Sequence, residues 1–296
     1  MTTQSPSQIT GFAAAWSIVF VWSGWLVVSR LAADSSLTIY DLAAMRYGLA
    51  ALIGVPLSLY YKPWRDLTLT RIAVISFILG PVYILSVFSA FHYAPAAHGG
   101  IFMNGILPLI SILFGIFLFR TRPGPRQVLG AALILVSTVV LASDSFAAGH
   151  AHAWIGDLLF IVGALFFSTY VILSERWSLG AMQVIFCGTV VNALLYLPVW
   201  ALWLPSGLAD ASWQPLLLQG IYQGFIPNLV GLIFIAHASR NIGNANTSII
   251  LAAVPGTGGL LGVVILGETL SPLSMLAIAL LTIGLLISVR RKKKDG

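Results

Sequence analysis

The sequence predicts an all-α membrane protein whose ten transmembrane helices form two inverted five-helix repeats. Three observations lead there: the solvent its composition demands, the number of apolar stretches of membrane length, and a self-similarity relating its halves. Of 296 residues, 58% are hydrophobic and 8% charged, against about 25% charged in soluble domains, and the mean hydropathy is +0.95. Fifteen Lys and Arg with nine Asp and Glu cannot cover the surface of a water-soluble fold of this length, so lipid is the main solvent. The single cysteine, Cys187, forms no intrachain disulfide, and no Cys/His set has metal-ligand spacing. Neither a disulfide scaffold nor a metalloenzyme is indicated.

A spanning helix needs about 20 apolar residues. Ten such stretches occur, at 12–31, 39–60, 72–93, 96–119, 127–143, 154–174, 182–204, 215–238, 244–266 and 272–289, joined by short connections. Backbone groups in lipid must be satisfied within the span, and the alternating ten-residue segments of a barrel are absent, so these are helices. MTTQSPSQIT lacks the basic region of a cleaved signal peptide, which keeps the first stretch as span 1.

Lys and Arg near span ends stay on the cytoplasmic side. Thirteen of the 15 basic residues follow even-numbered spans: Lys62, Arg65 and Arg71, then Arg120, Arg122 and Arg126, then Arg176, Arg240 and the tail Arg290, Arg291, Lys292, Lys293 and Lys294. Only Arg30 and Arg46 lie elsewhere. Both termini are predicted cytoplasmic, and the +6 net charge reports orientation rather than a nucleic-acid partner. The tail reads as a final stop-transfer signal.

Two ungapped matches link the halves. GFAAAWSIVFVWSGWLVVSR at 11–30 lies over GDLLFIVGALFFSTYVILSE at 156–175, and PLISILFGIFLFRTRPGP at 108–125 lies over PGTGGLLGVVILGETLSP at 255–272. Spans 1 to 5 thus repeat as 6 to 10, dividing the chain into 1–148 and 149–296. A five-helix unit is odd, so its two copies enter the membrane from opposite sides. Inverted repeats place a substrate site near the midplane between halves that rock to expose it alternately.

With AMRYGLAAL in span 2, carrying Arg46, and LGETLSP at 266–272, carrying Glu268, the arrangement resembles the drug/metabolite transporter superfamily, in its ten-helix branch of two EamA-type repeats. Thr121 stands where the repeat places Glu268, so that acid is not duplicated. Within the superfamily the chain looks most like aromatic amino-acid exporters of bacterial inner membranes. That resemblance implies efflux of Phe, Tyr, Trp and other neutral amino acids. The superfamily's small multidrug pumps depend on a membrane-embedded Glu in their first helix, which spans 1 and 6 lack.

Charges in hydrocarbon need partners. Arg46 lies two turns into span 2, and Asp41, five residues earlier, is not on its face. Two readings stand: an anchor for a carboxylate, or a packing residue that snorkels, the latter preferred. Glu268 at the end of span 9 reads as a cap or pairing group before a coupling site. Asp157 and Glu175, at opposite ends of span 6, are expected at the interfaces. No acid is near a span centre, which argues for facilitated transport rather than a carboxylate proton relay.

Deep aromatics and amides are the cavity candidates: Trp16, Phe20, Trp22, Tyr83, Phe88, Phe166, Tyr170 and Tyr222, with Asn104 and Asn228. Trp25 and Phe167 also lie deep; Trp16, Phe20 and Ser23 share one face of span 1 while Trp22, Trp25 and Ser29 lie on another, so one set at most faces a cavity. Asn104 precedes Pro108 and Asn228 follows Pro227, and prolines break the hydrogen-bond ladder where transporters bind polar groups. GPVY at 80–83 and VPGTGG at 254–259 promise similar breaks. His92 and His237, near ends of spans 3 and 8, are gate candidates, with interfacial hydrogen bonding the preferred alternative. No GxSxG, HExxH, cofactor or ATP-binding motif is present, so an enzyme is not expected. The expected partners are a small-molecule substrate, foremost amino acids, and the bilayer; no pattern sets an oligomeric state. A broader drug, cation or metabolite exporter, or a channel, is the alternative.

Overall fold

In lipid no water replaces a lost backbone hydrogen bond, so a spanning chain must be helical. The computed structural model describes residues 6–120, 122–147 and 152–288, and among these every regular element is a helix, with no strand. In order they are α1 (Pro6–Ala33), α2 (Ile39–Tyr61), α3 (Leu69–Ile78), α4 (Pro81–Tyr93), α5 (Ala96–His98), α6 (Leu107–Phe119), α7 (Pro125–Ala147), α8 (Ala153–Arg176), α9 (Ala181–Ile185), α10 (Asn192–Trp203), α11 (Trp213–Gly224), α12 (Gly231–Ile242), α13 (Asn244–Leu251), α14 (Val254–Leu266) and α15 (Pro272–Ser288). Three π-helical segments, Gly99–Gly105, Phe186–Val191 and Ile226–Val230, precede α6, α10 and α12. Among the described residues, eight continuous helical stretches are long and apolar enough to cross a membrane, and Pro272–Ser288 is a shorter apolar helix. The stretch from α11 to α12, divided at Phe225, is not among the eight. Thr121, the midpoint near 148–151 and the basic tail lie outside the described residues.

The helices break at prolines. Pro81 opens α4 after Gly80, and Pro108 and Pro255 are each the second residue of α6 and α14. Proline supplies no N–H and clashes with the carbonyl four residues back. Carbonyls at these breaks are bonded from other helices. The Tyr47 hydroxyl donates to Leu79 O at 3.0 Å, Asn192 Nδ2 to Ser76 O at 3.0 Å, and Ser23 Oγ to Val254 O at 3.0 Å.

Packing across the halves is reciprocal. α1 packs on α12 and α14, while α8 packs on α4 and on the π-helical segment before α6. α7 packs on α15, and α2 on α10 with the π-helical segment before it. Exchanging first half for second turns the α1 contacts into the α8 contacts and returns the other two to themselves.

Helix ends gather at two faces. At one, Thr10 meets His237 at 3.1 Å and Arg71 lies over the Trp177 ring at 5.5 Å. Lys62, Arg65, Arg126, Arg176 and Arg240 belong to the connections and helix ends of this basic face. At the other, Thr38 bonds Pro205 O at 3.1 Å and Glu268 reaches Ala96.

Small residues let helix backbones touch, which matters where apolar attraction between helices is weak. A Cβ on Gly284 of α15 would stand 2.9 Å from Gly130 O, and one on Gly130 of α7 would stand 2.6 Å from Gly284 O. Gly284→Val is therefore expected to destabilise the detergent-purified protein by about 1–3 kcal/mol, the usual range for overpacking. Ile283→Ala on the exposed side of the same helix should leave the melting temperature nearly unchanged. Equal melting temperatures for both variants would show that α7 and α15 need no close approach.

Candidate functional site

Where the helices break, a cavity of about 550 Å³ opens between the halves. Leu79, Asn104, Pro108, Pro227, Val254 and Pro255 all border it. Its walls are aromatic: Trp22 and Trp25 from α1, Tyr47 from α2, Tyr83 from α4, and Phe167 and Tyr170 from α8. Tyr83 stacks on Phe167 with centroids 6.4 Å apart, and Phe167 leans on Tyr170 at 5.5 Å. The wall continues to Val184, Ser248 and Ser288, which sit near helix ends on the basic face, so the cavity extends toward that face.

Of the residues singled out by sequence, Trp22, Tyr83, Asn104, Tyr170 and Arg46 are brought together here. The others are placed elsewhere. Trp16 and Phe20 are 47% and 59% exposed, on the side of α1 opposite Trp22 and Trp25, since an α-helix turns about 100° per residue. Phe88 is fully buried in the core beyond Tyr83. Phe166 points to the neighbouring side of α8 and rests on Phe77 at 5.9 Å. Tyr222 sets its hydroxyl against Gly24 of α1. The Asn228 side chain lies outside the described residues. His92 is exposed with Nδ1 3.2 Å from Phe88 O, and His237 is exposed beside Thr10; the two stand at opposite ends of the molecule.

The end away from the basic face is closed by polar contacts between the halves. Glu268 accepts from Ala96 N at 3.1 and 3.2 Å, with Arg30 Nε 3.8 Å away. Burial holds the Glu268 carboxyl above its usual range, against the lowering pull of the Ala96 N–H, Arg30 and His98. Beside it, His98 Nδ1 lies 2.6 Å from Asp157 Oδ1. Asp157 is thus not the solvated interfacial acid expected from its place in the sequence: it is 5% exposed. The physical reason is that α8 packs tightly here. A Cβ on its neighbour Gly156 would meet Ala90 O at 2.8 Å, which leaves a carboxylate needing a protein partner. Asp41 likewise accepts from Gly207 N at 2.8 Å and Trp200 Nε1 at 3.0 Å.

Trp25 and Phe167, two more of the deep aromatics of the sequence, also line the wall, whereas Tyr47 and a buried amide relay were missed by sequence reading. Gln223 accepts from Trp25 Nε1 at 2.8 Å and donates to Ser29 Oγ at 3.1 Å, while Gln219 donates to Val28 O at 2.6 Å. The i, i+4 spacing of Gln219 and Gln223 in an apolar span was the available signal. Arg46, expected to find a partner on another helix or a carbonyl, has none at Nη1 among the described residues, although that atom is buried.

A sequence model of the EamA-like transporter family matches this chain twice, over residues 9–143 and 154–290. The chain is 27% identical to an uncharacterized transporter of Bacillus subtilis (strain 168), YwfM, over 94% of this chain and 93% of that one. A solved crystal structure of a protein 23% identical in sequence shares the fold, with a TM-score of 0.63 over 97% of both chains.

The buried His98 and Asp157 pair makes a measurable demand. Asp157→Ala should destabilise the purified protein by about 3 kcal/mol, because the buried His98 ring loses its carboxylate partner. The double variant with His98→Ala should cost less than the two singles added together, by more than about 0.5 kcal/mol, as for residues in one network. Simple additivity in such a thermal-unfolding cycle would remove the coupling.

Proposed function

The chain belongs to the EamA-like transporter family and is a multi-pass membrane transporter, and on that footing we propose that it carries aromatic and other neutral amino acids by alternating access. The observation that carries the reading is the cavity at the helix breaks, walled by rings from both halves and edged by Asn104. Its size falls within the roughly 300–1,000 Å³ of small-ligand sites. Stacked rings accept an apolar side chain, and the Asn104 amide at the cavity edge offers a donor and an acceptor to a polar headgroup.

Ten crossings in two inverted halves, 1–148 and 149–296, are part of the same proposal. It is supported by the repeated family match and by the reciprocal contacts of α1 and α8. The basic face is assigned to the cytoplasm of a bacterial cell and the membrane to the inner one. The cavity then opens to the cytoplasm, as suits loading of a substrate for export. No Asp or Glu borders the cavity among the described residues. Exchange is accordingly assigned to the substrate gradient alone, without a cofactor or a catalytic step.

Liposomes containing the purified protein and preloaded with unlabelled amino acid should take up labelled Phe, Tyr or Trp saturably with no ion gradient imposed. Flux that never saturates would indicate a channel, and uphill uptake driven by an imposed pH gradient would replace the facilitated mechanism. In the same assay Trp22→Ala and Tyr83→Ala should each lower exchange about tenfold or more, the effect of losing a buried aromatic anchor. Trp16→Ala should stay within about twofold of wild type, as surface substitutions do. The reverse ranking would place the path on the other face of α1.

A further inference from the structure

The chemistry of the cavity specifies which group its ligand must carry, an inference that rests on the transport reading above. Acids buried in the helices or at their ends already have partners. Asp41 holds Gly207 N and Trp200, Asp144 accepts from Ser271 and Ser274, Asp157 meets His98, and Glu268 holds Ala96 N. Arg46 differs. Its side chain borders the cavity, its Nη1 is closed off from solvent with no acceptor, and no hydrogen bond or ion pair to any described residue engages its guanidinium.

Nearby groups are committed elsewhere. Asp41 lies five residues earlier on α2, about 140° round the helix, and is tied to the loop after α10. The Tyr47 hydroxyl is given to Leu79 O. A guanidinium keeps its proton at any physiological pH, and its planar fork matches a carboxylate. An unpaired cation within the membrane is costly unless an anion or water meets it. The cavity has no described Asp or Glu to hold an ammonium.

We propose that Arg46 is the docking group for the ligand's carboxylate, so that the transported class is a carboxylate on an apolar body, the amino group is dispensable, and organic cations are rejected. Asn104 and the ring walls then recognise the remainder without charge. The preference for acids over amines arises from one partly buried cation facing a cavity bordered by no described Asp or Glu.

Equilibrium dialysis of the full-length protein in detergent, with labelled 3-phenylpropionate and labelled phenethylamine, tests this directly. These probes share the ring and carry only the carboxylate or only the ammonium. The acid should bind, and the amine should bind about 100-fold more weakly or not at all, as expected when a buried charge pair is replaced by like charges. Arg46→Gln should weaken binding of the acid about 100-fold, while Arg46→Lys, which keeps the charge but loses the fork, should retain an intermediate affinity. Equal binding of the two probes by the wild-type protein would overturn the proposal whatever the variants do. So would unchanged binding of the acid by an Arg46→Gln protein of normal melting temperature. Saturable phenylalanine counterflow without 3-phenylpropionate binding would leave amino-acid transport standing and remove this inference. Binding of the acid, abolished by Arg46→Gln, in a protein that exchanges no amino acid would uphold the carboxylate site and remove the amino-acid reading.

Discussion

A backbone carbonyl inside a bilayer must find a donor within the protein, and the rest of this structure follows from how that demand is met. Continuous helices would meet it alone. This chain instead interrupts its helices at Gly80–Pro81, Pro108, Pro227 and Pro255, and side chains of other helices supply donors. Tyr47, Asn192 and Ser23 serve the breaks, and Ser137 reaches across to Ala277 O at 2.7 Å. Each such bond in a membrane protein contributes about 0.6 kcal/mol on average and seldom more than 1.7. Together they hold irregular backbone at mid-depth, where it borders a cavity. The cavity is a consequence of the breaks as well as of the packing around them.

Much of this was legible in sequence because it depends on local chemistry. Proline and glycine at 80–81 and 255–256 dictate interruption wherever they occur in an apolar span. The sidedness of Trp22 against Trp16 follows from helical angle alone, though the helix cannot say which side its neighbours cover. What stayed hidden depends on pairs distant in the chain. His98 and Asp157 are 59 residues apart, and Gln223 and Trp25 are 198 apart. Nothing in the local sequence around Asp157 of α8 distinguishes an acid facing headgroups from one facing a histidine. Phe88 and Phe166 show the same limit from the other direction, since an aromatic a turn along from a wall residue, or next to one on the adjoining helix side, packs on other apolar groups by the same chemistry.

The charged groups divide by their surroundings. Those at the end away from the basic face are saturated with partners and join elements of both halves: Glu268 to Ala96 and Arg30, Asp157 to His98. They behave as structure. Arg46 sits among rings with its charge unanswered by any described residue, and among the described residues it is the one charge bordering the cavity, where ligand chemistry has something to add. Position inside the membrane alone does not separate the two kinds, because buried structural ions and binding ions both lie in low dielectric.

The reciprocal packing of α1 and α8 has a consequence for balance between states. If the halves exchange roles, their backbones can trade places at little cost, but their polar side chains cannot. In the repeat alignment Asp157 falls on Phe12, and Glu268 falls on Thr121. The charged clasp that shuts one end therefore has no twin to shut the other. On the alternating-access reading proposed above, a form open at the clasped end would give up these contacts without an equivalent set from the repeat, which weights the equilibrium against it. On that reading, reorientation waits on whatever a ligand contributes preferentially to the opposite form.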